Sequence, residues 1–243
     1  MIAQVHANLL SRCFLFFSVK TLNVFHKCYN IYMSAFLYLP ILFFSVILHE
    51  YAHGYIACRN GDDTAYLMGR LTFNPLKHID MMGTIVVPLA CYFTGMPLFG
   101  WAKPVPVNPY RLNNIRNDMA KVAFAGPASN LILAIAAVLF LKAVVMFMPQ
   151  SVTLMKMLFY TIFINVFLAV FNLMPVPPLD GSKILVRFLP DNLAVKYMRL
   201  ERFGLLIVVF LIITGVFSKI VTPLAAFIFN LILTFIGGSF NGL

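Results

Sequence analysis

The sequence predicts an all-α polytopic membrane protein of five to six transmembrane helices, with one re-entrant apolar segment and a small β-element near the membrane edge. Three observations carry this. Hydrophobic residues make up 61% of the 243 positions, against roughly 45 to 50% in soluble domains, and charged residues only 11%, against about 25%. Mean hydropathy is +0.90. Apolar runs near the spanning length of about 20 residues recur along the chain, separated by Pro, Gly and charged clusters.

So apolar a chain lacks the mixed charged surface a water-soluble globule needs, which excludes a soluble enzyme, a disordered tail and a nucleic-acid binder as whole-chain readings. Eighteen Lys and Arg stand against eight acidic residues. In a membrane chain that excess belongs in cytoplasmic loops beside anionic lipid, so the bilayer and not nucleic acid is the expected partner. The length leaves no room for a separate folded domain outside the bilayer. Cys13, Cys28, Cys58 and Cys91 form no CxxC pair and receive no role.

Residues 1–33 read as an N-terminal extension, either an over-long start or a surface helix, because the apolar patch Cys13–Val19 is too short to span and lacks a small-residue cleavage site. Residues 34–243 read as one integral domain. Its first span runs from about Ala35 to Ala57 and stops at the polar turn Arg59-Asn60-Gly61-Asp62-Asp63. Tyr66–Asn74 has strand-like composition, with an edge to which an extended peptide could add or a plain lipid-facing hairpin as its two readings. Gly83–Trp101 is apolar but interrupted by Pro88, Gly95, Pro97 and Gly100, the mark of a broken or re-entrant segment. Lys103–Pro109 carries alternating prolines and should be extended. Val122–Met148 and about Leu158–Met174 are long spans, the second ended by Pro175, Pro177 and Pro178. Phe203–Phe217 and Ile220–Ile236 follow as shorter C-terminal helices, split around Lys219 and Pro223.

The chemistry sits in His49-Glu50-Tyr51-Ala52-His53, an HExxH. On a helix this spacing sets two imidazoles one turn apart, able to reach one metal, with a carboxylate beside them. Chance yields the motif in a chain of this composition on the order of once in a thousand. The pattern suits one catalytic Zn²⁺ per chain, which lowers the pKa of its water towards 7 while Glu50 takes the proton. Three clustered ionisable groups at bilayer depth also argue against mere packing, since each is disfavoured by about 2.5 to 3.5 kcal/mol there.

A catalytic zinc needs a third protein ligand, and Asp180, directly after Pro175-Val-Pro-Pro-Leu179 and before Gly181, is the candidate. Its other reading is a surface N-cap for the segment from Ser182. His78 reads as an interfacial structural histidine, with metal ligation as the rival. Gly126 to Asn130 reads as a small-residue stretch for close helix packing, Asn130 being an interhelical hydrogen-bond donor.

HExxH in a membrane helix followed by Asn172-Leu-Met-Pro-Val-Pro-Pro-Leu-Asp180-Gly181 resembles the site-2 protease family of intramembrane zinc metalloproteases, peptidase family M50, whose second motif is NxxPxPxLDG. Gly126-Pro-Ala-Ser-Asn130 and Phe99–Pro109 extend the resemblance over roughly residues 35–240. It implies a three-helix catalytic core within about 35–182 and helices at about 203–237. It further implies that His49, His53 and Asp180 bind zinc, that Glu50 is the catalytic base, and that Asn172 stands near the scissile carbonyl to stabilise the oxyanion. Substrates would be transmembrane-helix proteins cut within or near the helix, in a prokaryotic cell membrane, with self-association left open. A rival class is a divalent-metal transporter using the same three ligands as a transit site.

Topology follows from bringing both motifs to one metal. The first span and the Leu158–Met174 span must end towards the same face, so Gly83–Trp101 must dip in and return. That face then holds the seven Lys and Arg between Arg59 and Lys121 and the five between Lys183 and Arg202, of eighteen in all. The positive-inside rule makes it cytoplasmic, with Asp62 and Asn113 both exposed on it.

Overall fold

The computed structural model describes residues 31–95 and 100–237; most of the 1–33 extension lies outside the described residues. Residues to Leu39 form one unit, which contains the start of the first helix, and Pro40–Leu243 form the second. The elements are α1 (Ile31–Arg59), α2 (Thr64–Leu67), a 3-10 turn at Pro75–Lys77, a wide turn at Met81–Val86, and α3 (Val87–Thr94). After an extended stretch and a 3-10 turn at Pro109–Arg111 come α4 (Ile115–Phe147), α5 (Val152–Asn172), α6 (Asp180–Val186), α7 (Asp191–Met198), a 3-10 turn at Arg199–Phe203, α8 (Gly204–Ile213) and α9 (Val216–Gly237).

Among the described residues, four helices are long and apolar enough to cross a membrane: Leu37–Arg59, Ile115–Phe147, Val152–Asn172 and Val216–Thr234. The 33 residues of α4 make a rod of about 50 Å, longer than a hydrocarbon core of about 30 Å. A connection of only four residues, 148–151, forces α5 to run back along it. Their shared seam is the core: Ala134, Ala137, Val138, Leu141 and Val144 of α4 meet Leu158, Ile162, Val166 and Val170 of α5, and Val208, Phe217, Val221, Ala225 and Phe229 close it. The outer faces stay apolar, with Ile132, Leu139, Phe140, Phe210 and Phe227 exposed, as lipid-facing helices require.

Three expectations change. The expected C-terminal span Phe203–Phe217 contracts to α8, whose 10 residues reach about 15 Å, half the hydrocarbon core. Met81–Thr94, in the segment read as broken or re-entrant, is a brief apolar helix. The C-terminal break falls at Gly215, at φ 72, and Pro223 lies inside α9. The β-element is absent: residues 64–67 are helical, the rest of 66–74 forms turns, and no strand occurs among the described residues. Its local composition suits a strand, but Gly69 adopts φ 63 and lets the Arg70 N–H reach back to the Ala65 carbonyl, closing a helical turn instead.

The Gly83–Trp101 segment returns to its own origin. Trp101 N–H donates to the Gly83 carbonyl at 3.0 Å and Lys103 N–H to the His78 carbonyl at 2.9 Å. Gly83 is required there, because a Cβ would lie 2.4 Å from the Trp101 ring.

Candidate metal centre

Two helices bring three donors to one point. His49 and His53, one turn apart on α1, place their Nε2 atoms 3.0 Å from each other. Asp180, at the first turn of α6, puts Oδ2 at 3.1 Å from the Nε2 of His49 and 3.2 Å from that of His53. All three are buried. The Pro-rich run ends α5 and turns the chain inward. Gly181 fits because a Cβ there would stand 2.1 Å from the Leu173 carbonyl oxygen.

The supporting face belongs to α4. The Val122 carbonyl lies 2.7 Å from His53 Nδ1, and Asn130 Oδ1 lies 2.6 Å from His49 Nδ1. Midway between them is Gly126, where a Cβ would lie 2.5 Å from His53 Nε2 and 2.6 Å from His49 Nε2. Residues 122, 126 and 130 share one face at i, i+4 and i+8, so the helix presents an acceptor, a gap and a second acceptor in line.

Hydrogen-bond direction decides the protonation of the rings. Asn165 Nδ2 donates to the Thr161 carbonyl and to Ser45 Oγ, both at 2.8 Å, so its Oδ1 is left to accept from Asn130 Nδ2 at 2.8 Å. Asn130 therefore turns Oδ1 towards His49. A carbonyl oxygen only accepts, so each histidine carries a hydrogen on Nδ1, and in the neutral ring Nε2 is the nitrogen that offers its lone pair to the same point.

Three electron-pair donors packed this closely repel unless positive charge lies among them. Tetrahedral zinc bonds of about 2.0 to 2.1 Å place ligand atoms about 3.3 to 3.4 Å apart. The observed separations of 3.0 to 3.2 Å are within a few tenths of an ångström of that. Two imidazoles and a carboxylate are the donor set zinc takes in open sites, so these residues fit the ion.

The Peptidase family M50 profile matches residues 37–153 and 142–215. The chain belongs to peptidase family M50. Its M50 relatives include a Bacillus subtilis (strain 168) protein named "Putative zinc metalloprotease YwhC", 37% identical over 206 residues, which cover 79% of this chain and 91% of that one. A Mycolicibacterium smegmatis protein, Rip2, carries the same description and is 31% identical over 176 residues, 72% of this chain and 66% of its own length. The Methanocaldococcus jannaschii protein MJ0611 is 42% identical over 68 residues, 28% of this chain and 34% of that one. No solved structure matches the chain significantly. As an M50 member the chain is a metallopeptidase.

Glu50, the acid of this M50 chain's HExxH, is half-buried, and its Oε2 accepts the Val105 backbone N–H at 2.7 Å. Asn172 Nδ2 donates to the Leu168 carbonyl one turn back, at 3.0 Å. His78 is not in the group of three donors; it is buried, with Nε2 donating to the Thr72 carbonyl. Asn130 bonds across helices as expected. Ser45, Asn165, Gly126 as a cradle, and the buried Asp62 went unrecognised as contributors. Ser45 and Asn165 left one faint signal, being isolated polar residues inside apolar helices.

Proposed function

We propose that this M50 peptidase is an intramembrane zinc metalloprotease that hydrolyses a peptide bond in or near the transmembrane helix of membrane-protein substrates. The observation that carries the reading is the convergence of His49 Nε2, His53 Nε2 and Asp180 Oδ2 at 3.0 to 3.2 Å, with both histidines on a helix long and apolar enough to cross a bilayer. These three hold one zinc per chain, and zinc there supplies Lewis acidity, acidifying a water and polarising a carbonyl.

The chain's own groups do the rest. Glu50 accepts the water's proton on a carboxylate oxygen and delivers it to the leaving amine. Val105 N–H, bonded to Oε2, fixes how that carboxylate is turned. Asn130 and Val122 keep the lone pairs of both imidazoles facing inward. Asn172 retains one amide hydrogen beyond the bond to Leu168, available to an oxyanion. A substrate helix must unwind first, because its carbonyls are otherwise engaged in helix hydrogen bonds, so helix-weakening residues favour cleavage.

Gly83–Trp101 is then the re-entrant segment, and α1, α4 and α5 form the three-helix core. The closure of Trp101 onto Gly83 supports that assignment, and the distribution of Lys and Arg supports a cytoplasmic site in a prokaryotic cell membrane.

Purified wild type and Glu50→Gln, assayed in detergent for bound zinc and for cleavage of single-span substrates, test the reading. Gln keeps the side-chain shape and loses the proton acceptor, so zinc content stays near wild type and proteolysis disappears. Cleavage retained by Glu50→Gln overturns the protease mechanism. Metal transport retained by the same variant supports the transporter instead.

A further inference from the structure

Residues 103–108 lie extended against the site, and from Lys103 to the Asn108 N–H the polar holds on them come from distant residues. Lys103 N–H donates to the His78 carbonyl at 2.9 Å. Arg70 Nη2 donates to the carbonyls of Lys103 and Pro104 at 2.9 and 3.1 Å. Asn108 N–H donates to Asp62 Oδ2 at 2.6 Å. Between these holds, Val105 N–H donates to Glu50 Oε2 at 2.7 Å. Pro104 and Pro106 have no N–H, so residues 104–106 offer Glu50 a single donor. The Val105 side chain is buried over Gly54 of α1, one turn past Glu50, where a Cβ would lie 2.9 Å from Val105 Cγ1.

Arg70 and Asp62 are unusual as structural fasteners. Arg70 is 8% exposed and Asp62 is 0% exposed, yet among the described residues neither has an ion-pair partner. Arg70 Nε is buried without any partner. A charge buried on neutral carbonyls or amides is disfavoured relative to an uncharged side chain that packs equally well. What each charge does here is fix the register of the peptide that carries the Val105 N–H.

We infer that Arg70 and Asp62 are positioning residues for the Glu50 carboxylate, acting through the backbone of residues 103–108. The inference rests on the protease reading, in which Glu50 is the base. Arg70 grips the residue next to Val105, whereas Asp62 grips three residues away, about 10 Å along an extended chain. Arg70 is therefore the stronger lever. Misplacing a reacting group by about 1 Å lowers turnover by up to about 100-fold, without changing who binds the metal.

The test uses the full chain in detergent, with Arg70→Met, Arg70→Lys, Val105→Pro and the double variant Arg70→Met/Val105→Pro. Zinc content, kcat and KM for a single-span substrate, and backbone hydrogen exchange of residues 101–109 are measured, with peptides from α4 and α5 as the control for folding. Arg70→Met and Val105→Pro each keep about one zinc per chain. Each lowers kcat by about 10- to 100-fold with KM within about twofold. Arg70→Lys, which still reaches a carbonyl, recovers part of kcat. The double variant is no more than about twofold worse than the poorer single, because both act through one amide. Exchange across 101–109 accelerates at least about tenfold in Arg70→Met while α4 and α5 stay protected.

Wild-type kcat in Arg70→Met, multiplicative losses in the double variant, or unchanged exchange across 101–109 overturns the inference. A wild-type enzyme that cleaves nothing, or cleavage by Glu50→Gln, overturns the protease reading instead. In that case the exchange measurement still decides whether Arg70 holds residues 103–108 in place.

Discussion

The backbone N–H of Asn113 donates to the carbonyl of Asn60 at 3.0 Å, so the chain leaves the C-terminal end of α1 and returns to it before α4 begins. A segment that crossed a bilayer once between these residues would separate them by about 30 Å. In a cysteine-free background, single cysteines at Asp63 and Asn113 are therefore both labelled by an impermeant thiol reagent from the cytoplasmic side, and a cysteine at the exposed Gln150 from the other. Asp62 is unsuitable for this because it is fully buried. Labelling of Asp63→Cys and Asn113→Cys from opposite sides would remove both the re-entrant assignment and the shared metal site.

Gly126→Ala separates the metal site from the fold. Its Cβ would meet two imidazoles at 2.5 and 2.6 Å, and those rings are tied by their Nδ1 atoms to Val122 and Asn130 on either side, so they cannot both swing away. Intrinsic helix propensity favours Ala over Gly by about 1 kcal/mol, so α4 itself gains nothing but stability. Zinc bound per chain drops about tenfold or more, while helix content holds and the apo unfolding temperature falls by no more than a few degrees, the helix gain offsetting part of the crowding at the rings. Full zinc occupancy in Gly126→Ala would show that the cradle is looser than its geometry.

What the sequence made legible tracks how local the signal is. HExxH declares itself because helical spacing alone sets His49 and His53 on one face. The Pro-rich run before Asp180 declares a broken helix end, though only the fold brings Oδ2 to the imidazoles. Tyr66–Asn74 misled because strand composition is local while strand pairing is not, and the neighbouring extended residues spend their N–H groups on Glu50, Asp62 and the His78 carbonyl. Asp62 and Arg70 read as loop charges. Their burial depends on residues 103–108 folding back over them, which no spacing announces. Ser45 and Asn165 stand 120 positions apart and meet only because α1 and α5 pack together.

The meeting of Asn165 with Asn130 governs the metal through proton placement. The Thr161 carbonyl accepts only, so it fixes the amide of Asn165. Asn165 Oδ1 then fixes the amide of Asn130, and Asn130 Oδ1 fixes the hydrogen of His49 on Nδ1. Ser45 is the passive end, since its hydroxyl hydrogen goes to the Ile41 carbonyl and its oxygen merely accepts. In Asn165→Leu the Asn130 amide loses its acceptor and is free to flip, turning Nδ2 towards His49. The ring then keeps its hydrogen on Nε2, aimed at the metal position. Zinc affinity falls about 10- to 100-fold in Asn165→Leu, as for other lost outer partners of metal-bound histidines. Asn165→Asp retains an oxygen for Asn130 and loses less. Ser45→Ala stays within about twofold of wild type, because Thr161 still orients Asn165. Zinc titrations of the three variants against a competing chelator, with histidine-selective ¹⁵N spectra to report the His49 tautomer, measure this order. If Asn165→Leu binds zinc as wild type does while its spectrum keeps the Nδ1–H form, the relay does not set the His49 tautomer.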